Sequence, residues 1–176
     1  LKAIVKFLSE TDKEKITTGE LAKLLHVTPG TATSMAKKLE KEGYIEYQNW
    51  IGCSLTEKGK KYGLNILRRH RLIETFLFQT LKMDGKNIHN EAENLEHAVS
   101  DLLIDKIDKY LGHPKRDPHG AIIPRKNQKE YTCIDSSLDK VKYGIEYSIS
   151  RLIGSDAQFE YYKKINLKLN SKIILQ

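Results

Sequence analysis

Two helical patterns follow one another within residues 17–43 with only His26-Val27 between them, and that spacing calls for a helix-turn-helix. Thr17 and Glu20 form a capping-box pair, opening a short helix with Leu21, Ala22, Leu24 and Leu25 on its inner side. Thr28 then reads as an N-cap with Pro29 at the first helical position, where its missing N–H costs nothing. The second helix repeats apolar residues at Ala32, Met35, Ala36 and Leu39, an i, i+3, i+4, i+7 stripe, and stops near Gly43. Ahead of the pair, Leu1, Ile4, Val5 and Leu8 place a helix over residues 1–9. After Gly43 the period changes. Tyr44–Tyr47 and Cys53–Leu55 are strand-like runs around a Gln48-Asn49-Trp50-Ile51-Gly52 tip, so a β-hairpin completes a winged helix.

Charge sharpens this reading. Residues 1–71 hold 14 Lys+Arg against 8 Asp+Glu, whereas residues 72–176 hold 16 against 15. A basic first part joined to a nearly neutral remainder suits one module for a polyanion and another for something else. On the second helix Thr31, Ser34, Lys38 and Lys41 lie opposite the apolar stripe. Thr28, Thr31, Thr33, Ser34, Lys37 and Lys38 are the expected DNA contacts, with Asn49 and Trp50 of the tip along a phosphate strand or in the minor groove. Winged helices also serve as protein-interaction modules, and spacing alone leaves that alternative open. The 176 residues fit one or two small domains and exclude a large multi-domain enzyme. Two cysteines 80 positions apart exclude a disulfide scaffold and a thiolate zinc finger, so a cytoplasmic protein is expected. No apolar run approaches a membrane span, and no membrane partner is expected.

Beyond the wing, Thr56 is expected to cap a long helix through Tyr62, Leu67, His70, Ile73 and Leu77 to about Leu81. A turn at Asp84-Gly85 follows, and Asn87 is expected to cap a second long helix reaching Leu111-Gly112. His70 and Glu74 share one face of the first helix. His89, Glu93, Glu96 and His97 form a single polar stripe on the second, beside an apolar stripe of Ile88, Ala92, Leu95, Val99 and Leu102. Two His/Glu stripes on antiparallel helices can converge on a metal ion, although such residues on helix surfaces are also commonly just solvated. Residues 112–134 read as irregular, and short strands with one helix follow.

Three strings carry a resemblance to a known family: Arg69-His70-Arg71-Leu72-Ile73-Glu74, the run from His89 to Asp101, and Asp117-Pro118-His119-Gly120 with Ile123-Pro124. They resemble the diphtheria-toxin-repressor family of metal-activated transcriptional regulators. The resemblance implies a mainly α fold: an N-terminal winged helix-turn-helix (1–63), a long-helix metal-binding and dimerisation domain (64–124), a linker (125–134) and a partial SH3-like β domain (135–176). It also implies a homodimer that binds double-stranded operator DNA when loaded with a divalent ion. Glu93, Glu96 and His97 match the family's main site, with a further ligand about two positions before Leu1, where preceding residues are expected. His70 and Glu74 match the second site, with His89 a weaker member, and Asp117, His119 and Asp156 join it in the manganese-responsive branch. Glu93 stands where iron-responsive relatives carry Cys, which leans toward Mn²⁺ with Fe²⁺ as the alternative, and Asp117 puts an oxygen ligand where the manganese-responsive branch carries Cys. The expected function is a metal-dependent repressor of metal-homeostasis genes, with no small-molecule substrate. From another class, a di-metal carboxylate enzyme is the rival, although no nucleophile motif accompanies the stripes.

Overall fold

The protein is described by a computed structural model covering all residues except 12, 84, 129, 130, 132–134 and 155; the side chains of residues 85, 86 and 156 are also outside it. The order is α1 (Lys2–Glu10), α2 (Thr18–Leu25), α3 (Pro29–Lys41), β1 (Ile45–Gln48), β2 (Gly52–Leu55), α4 (Glu57–Gln79), α5 (Gly85–Ala98), α6 (Asp101–Tyr110), β3 (Glu146–Ser148), α7 (Asp156–Lys164) and β4 (Lys172–Ile174). Two compact units emerge, residues 1–68 with 124–133 and residues 69–123 with 134–176, so α4 contributes to both.

The first unit is the winged helix. Thr17 accepts from Glu20 N–H while the Glu20 carboxylate accepts from Thr17 N–H, completing the capping box. His26 ends α2 in the left-handed conformation, and its N–H is taken by carbonyls of the last turn. Thr28 caps α3 with Pro29 at its start. The hairpin pairs Ile45 with Leu55 through Gln48 with Gly52, and the Ile16–Cys53 bridge fastens it to the segment before α2. Ile4, Ile16, Leu21, Ala22, Ala32, Ala36, Ile45 and Cys53 form the core. Leu24 and Met35 depart from the expected inner stripes and are exposed, because Ala32 and Ala36 already fill the contact against α2.

In the second unit Leu72, Ile73 and Leu77 of α4 pack on Ile88 and Ala92 of α5, Ile104 and Ile107 of α6, and Ile123. The single long helix expected over 87–111 is two helices. Ser100 takes an extended conformation and caps α6 by accepting from Leu103 N–H at 3.3 Å. Arg69 secures the junction, donating to Glu96 O at 2.8 Å, to Val99 O and to the Asp101 carboxylate at 2.5 Å. Asn87 lies inside α5 rather than capping it, α4 ends at Gln79, and the expected turn residue Asp84 falls outside the described residues. Leu102, expected in the apolar stripe, is 70% exposed on α6, since the break at Ser100 restarts the helical phase. β3 and β4 pair antiparallel, Glu146 with Ile174 through Ser148 with Lys172.

Candidate metal centre and nucleic-acid interface

The polar stripes of α4 and α5 meet on His70. Its Nδ1 lies 2.7 Å from Glu96 Oε2, and its Nε2 lies 3.1 Å from Glu74 Oε1. All three side chains are buried. Helical spacing accounts for this: Glu74 is one turn beyond His70 on α4, and Glu96 faces inward from the neighbouring α5. His89 Nδ1 closes the group at 3.2 Å from both His70 Nε2 and Glu74 Oε1. Glu93 Oε2 stands 3.9 Å from His70 Nδ1, and His97 Nε2 lies 3.3 Å from Glu96 Oε1. His70, His89 and Glu93 each offer a ligand atom within 4.8 Å of the others, close enough to hold one cation.

Electrostatics fit a cation here. Burial alone would push the Glu74 carboxyl up, yet hydrogen bonds from His70 and then His89 outweigh it and hold the group well below the usual carboxylate range. Glu74 is therefore a buried anion, and Glu96 sits on the other nitrogen of the same imidazole. The donor set is carboxylate oxygen and imidazole nitrogen without sulfur, the chemistry of a hard or borderline divalent ion.

Asp117 is buried on the same side. Its Oδ1 accepts from His119 N–H and Ala121 N–H, both at 2.9 Å, and its Oδ2 lies 3.6 Å from Arg71 Nε. Burial first, and then the Glu74 charge, raise the Asp117 pKa, while Arg71, the Ala121 N–H and His119 oppose the rise. The His119 ring packs 5.1 Å from that of Phe159. The Asp156 side chain, also expected in this group, lies outside the described residues. Arg69 and Arg71 were not singled out from sequence as parts of the site, although they flank His70 in the Arg-His-Arg string; one holds the end of α5 and the other faces Asp117.

In the winged helix, Thr28, Thr31, Ser34, Lys37, Lys38 and Asn49 are exposed and Thr33 is half-buried. Several hydroxyl protons are already committed. Thr33 donates to Pro29 O at 2.9 Å and Ser34 to Gly30 O at 3.0 Å, leaving their oxygens as acceptors.

The family model described as "Iron dependent repressor, N-terminal DNA binding domain" matches residues 1–52, and that for the "metal binding and dimerisation domain" matches residues 56–125. A curated HTH-type transcriptional regulator of Methanocaldococcus jannaschii is 41% identical over 111 residues, spanning 63% of this chain and 88% of that protein. The chain belongs to the iron-dependent repressor family. This repressor's match to the regulator MntR of Lysinibacillus sphaericus is 40% identical and covers 50% of the chain and 63% of the relative. Among solved structures, a manganese-dependent transcriptional repressor in complex with manganese superposes with a TM-score of 0.88 at 34% identity, covering 99% of this chain and 81% of that one. The manganese regulator SloR superposes at 0.86 and 33% identity, covering 99% and 81% respectively. These matches bear out the family and the mainly α architecture read from sequence. They also set the metalloenzyme reading aside, because members of the family are transcriptional repressors. No helix among the described residues is long and apolar enough to cross a membrane.

Proposed function

We propose that this repressor is manganese(II)-responsive and, once loaded, binds operator DNA as a homodimer through its winged helices to control metal-homeostasis genes in the cytoplasm. The observation that carries the reading is the buried Glu74–His70–Glu96 chain, with His89, Glu93 and His97 within reach of it. The manganese-dependent relatives support it, as does the oxygen and nitrogen donor set. Glu93, Glu96 and His97 are the main-site ligands in this proposal. His70, Glu74 and His89 hold the second site with Asp117, His119 and Asp156. The division into residues 1–63, 64–124, 125–134 and 135–176 is the working domain scheme.

When bound, a divalent ion would supply the positive charge that lets several carboxylates share one small volume. The chain's own residues do the rest. Glu96 couples α5 to His70 of α4, and Arg69 holds the α5–α6 junction by the carbonyl of that same Glu96. A change at the cluster is thereby felt at three helices. Both winged helices of a dimer are then held at one spacing, and the DNA-competent population rises as far as the ion prefers it. A full switch needs a preference of about 10⁴-fold.

Exposed apolar residues suit a dimer surface: Leu102, Leu103 and Tyr110 of α6 lie within the matched dimerisation domain. A gel-shift series with Mn²⁺, Fe²⁺ and chelator tests the proposal. Mn²⁺ is expected to produce the shift, and Glu96→Ala or His97→Ala to abolish it while the protein stays folded. A stronger shift with Fe²⁺ would transfer the reading to iron, and a shift unchanged by chelator would refute metal control.

A further inference from the structure

The wing ends in an apolar tip whose tryptophan stands fully exposed. Trp50 is 101% exposed and its neighbour Ile51 is 54% exposed. Trp50 also has φ 69°, a left-handed conformation that bulky side chains rarely adopt. Nothing about folding the chain rewards this arrangement, since the indole covers no core.

The tip is nevertheless rigidly mounted. Ile51 N–H donates to Gln48 O at 3.2 Å, closing the turn. Ile16 and Cys53 exchange both backbone hydrogen bonds, at 3.0 and 2.9 Å, pinning the hairpin base. Gly52 has φ +123°, and a Cβ there would stand 2.3 Å from Ile16 O, so only glycine allows the hairpin to seat that closely. On the other strand, Tyr47 N–H donates to Glu40 Oε1 of α3 at 3.1 Å, linking the wing to the end of the helix proposed for the major groove. Trp50 lies in the turn beyond that contact, at the far end of the hairpin from its base.

Charge favours a polyanionic occupant. The segment from Gln48 to Gly52 carries no acidic residue, and Lys15 Nζ donates to Gln48 Oε1 at 3.0 Å beside the tip. The module as a whole is basic. We propose that Trp50, backed by Ile51, is a wedge that enters the minor groove flanking each half-site and partly unstacks a base step there. Apolar side chains are used this way by proteins that kink DNA, and pyrimidine–purine steps yield most easily. The wedge rests on the DNA-binding reading above, and it adds a contact outside the major-groove half-sites.

Trp50 is the only tryptophan in the chain, so its emission reports on the tip alone. The test uses duplexes selected from a random pool by the Mn²⁺-loaded protein. Each is prepared with about one helical turn of flanking DNA on both sides, and again trimmed to the half-sites. Mn²⁺ is held constant throughout. With flanks present, Trp50 emission is expected to shift to the blue and be quenched, and Trp50→Ala to weaken binding about tenfold. With trimmed duplexes both effects should vanish, and Trp50→Phe should retain most of the affinity. An unaltered emission with wild-type affinity for Trp50→Ala overturns the wedge while leaving metal-dependent DNA binding intact. So does a blue shift that depends on protein concentration without DNA, which would place the tip against a second copy. Failure of the loaded protein to select any duplex sinks the DNA-binding reading itself, and the wedge with it.

Discussion

Substituting Gly120 by alanine separates two costs and ties one of them to the proposed metal centre. Gly120 closes the Asp117-Pro118-His119-Gly120 loop with φ +88°, and its N–H donates to Asp117 O at 2.9 Å. A Cβ there would meet Ser150 O at 2.1 Å, with Arg151 Cα and Leu169 Cδ2 each at 2.9 Å. Ordinary contact needs about 3.5 Å, so the loop and the 150–151 backbone must part by roughly 1 Å. The Leu152 N–H to His119 O bond of 3.0 Å spans that gap and is lost, at about 1 kcal/mol. The left-handed conformation adds about 1–2 kcal/mol. Gly120→Ala should therefore cost about 2–3 kcal/mol.

Gly112 is the control: its φ is +71°, but nothing lies within 4 Å of its would-be Cβ, so Gly112→Ala pays about 1–2 kcal/mol for conformation alone. Thermal melts of the metal-free protein by circular dichroism should place the two variants about 2–4 °C apart. Displacing the loop also moves Asp117 and His119, so Mn²⁺ calorimetry should show about a 10- to 100-fold loss at one class of site for Gly120→Ala only. Equal melting of the two variants would refute the close-approach argument, and equal calorimetry would refute the link to the metal centre.

Three further outcomes are expected. The Lys13 hydrogen bond, then those of the Thr17 backbone and side chain, lower the Glu20 pKa to about 2. The capping box thus contributes fully above the unfolded value of 4.5 and fades as pH falls from there toward 2; Glu20→Gln should cost about 0.3–1.5 kcal/mol in urea melts at neutral pH and nothing at the acid end. Leu102→Lys should weaken self-association at least about 30-fold in sedimentation velocity without changing the circular dichroism spectrum. Burial pushes the Cys53 thiol up to about 11, so iodoacetamide at pH ~8 should label it at least about 100-fold more slowly in the native protein than in denaturant.

The parts legible in the sequence are those set by local chemistry. Thr17 with Glu20 and Thr28 with Pro29 mark helix starts through hydrogen bonds that reach only three residues, and the structure places both helices there. His70, Glu74, His89, Glu93 and Glu96 were readable as in-phase stripes because helical spacing alone brings each set to one face. The break at Ser100 was hidden, because Val99 and Leu102 continue the apolar spacing across it. Ser100 caps the new helix, and Arg69, about thirty residues away, fastens the junction through a contact that no local signal announces. Met35 and Leu24 show the same limit: their spacing matched an inner face, but the small Ala32 and Ala36 let α2 and α3 approach without them. Asp117 was placed by resemblance, whereas its burial and its Arg71 partner depend on the folded loop.

The central claim is that the cation held by the His70–Glu96 cluster and the DNA held by the winged helices bind one conformation of the repressor. Thermodynamic linkage makes the coupling reciprocal. Free Mn²⁺ can be followed by its paramagnetic resonance signal as it is titrated into the protein, alone and with saturating duplex. The account predicts that the duplex tightens Mn²⁺ binding by the same factor by which Mn²⁺ tightens duplex binding. Superimposable Mn²⁺ isotherms with and without DNA would contradict it.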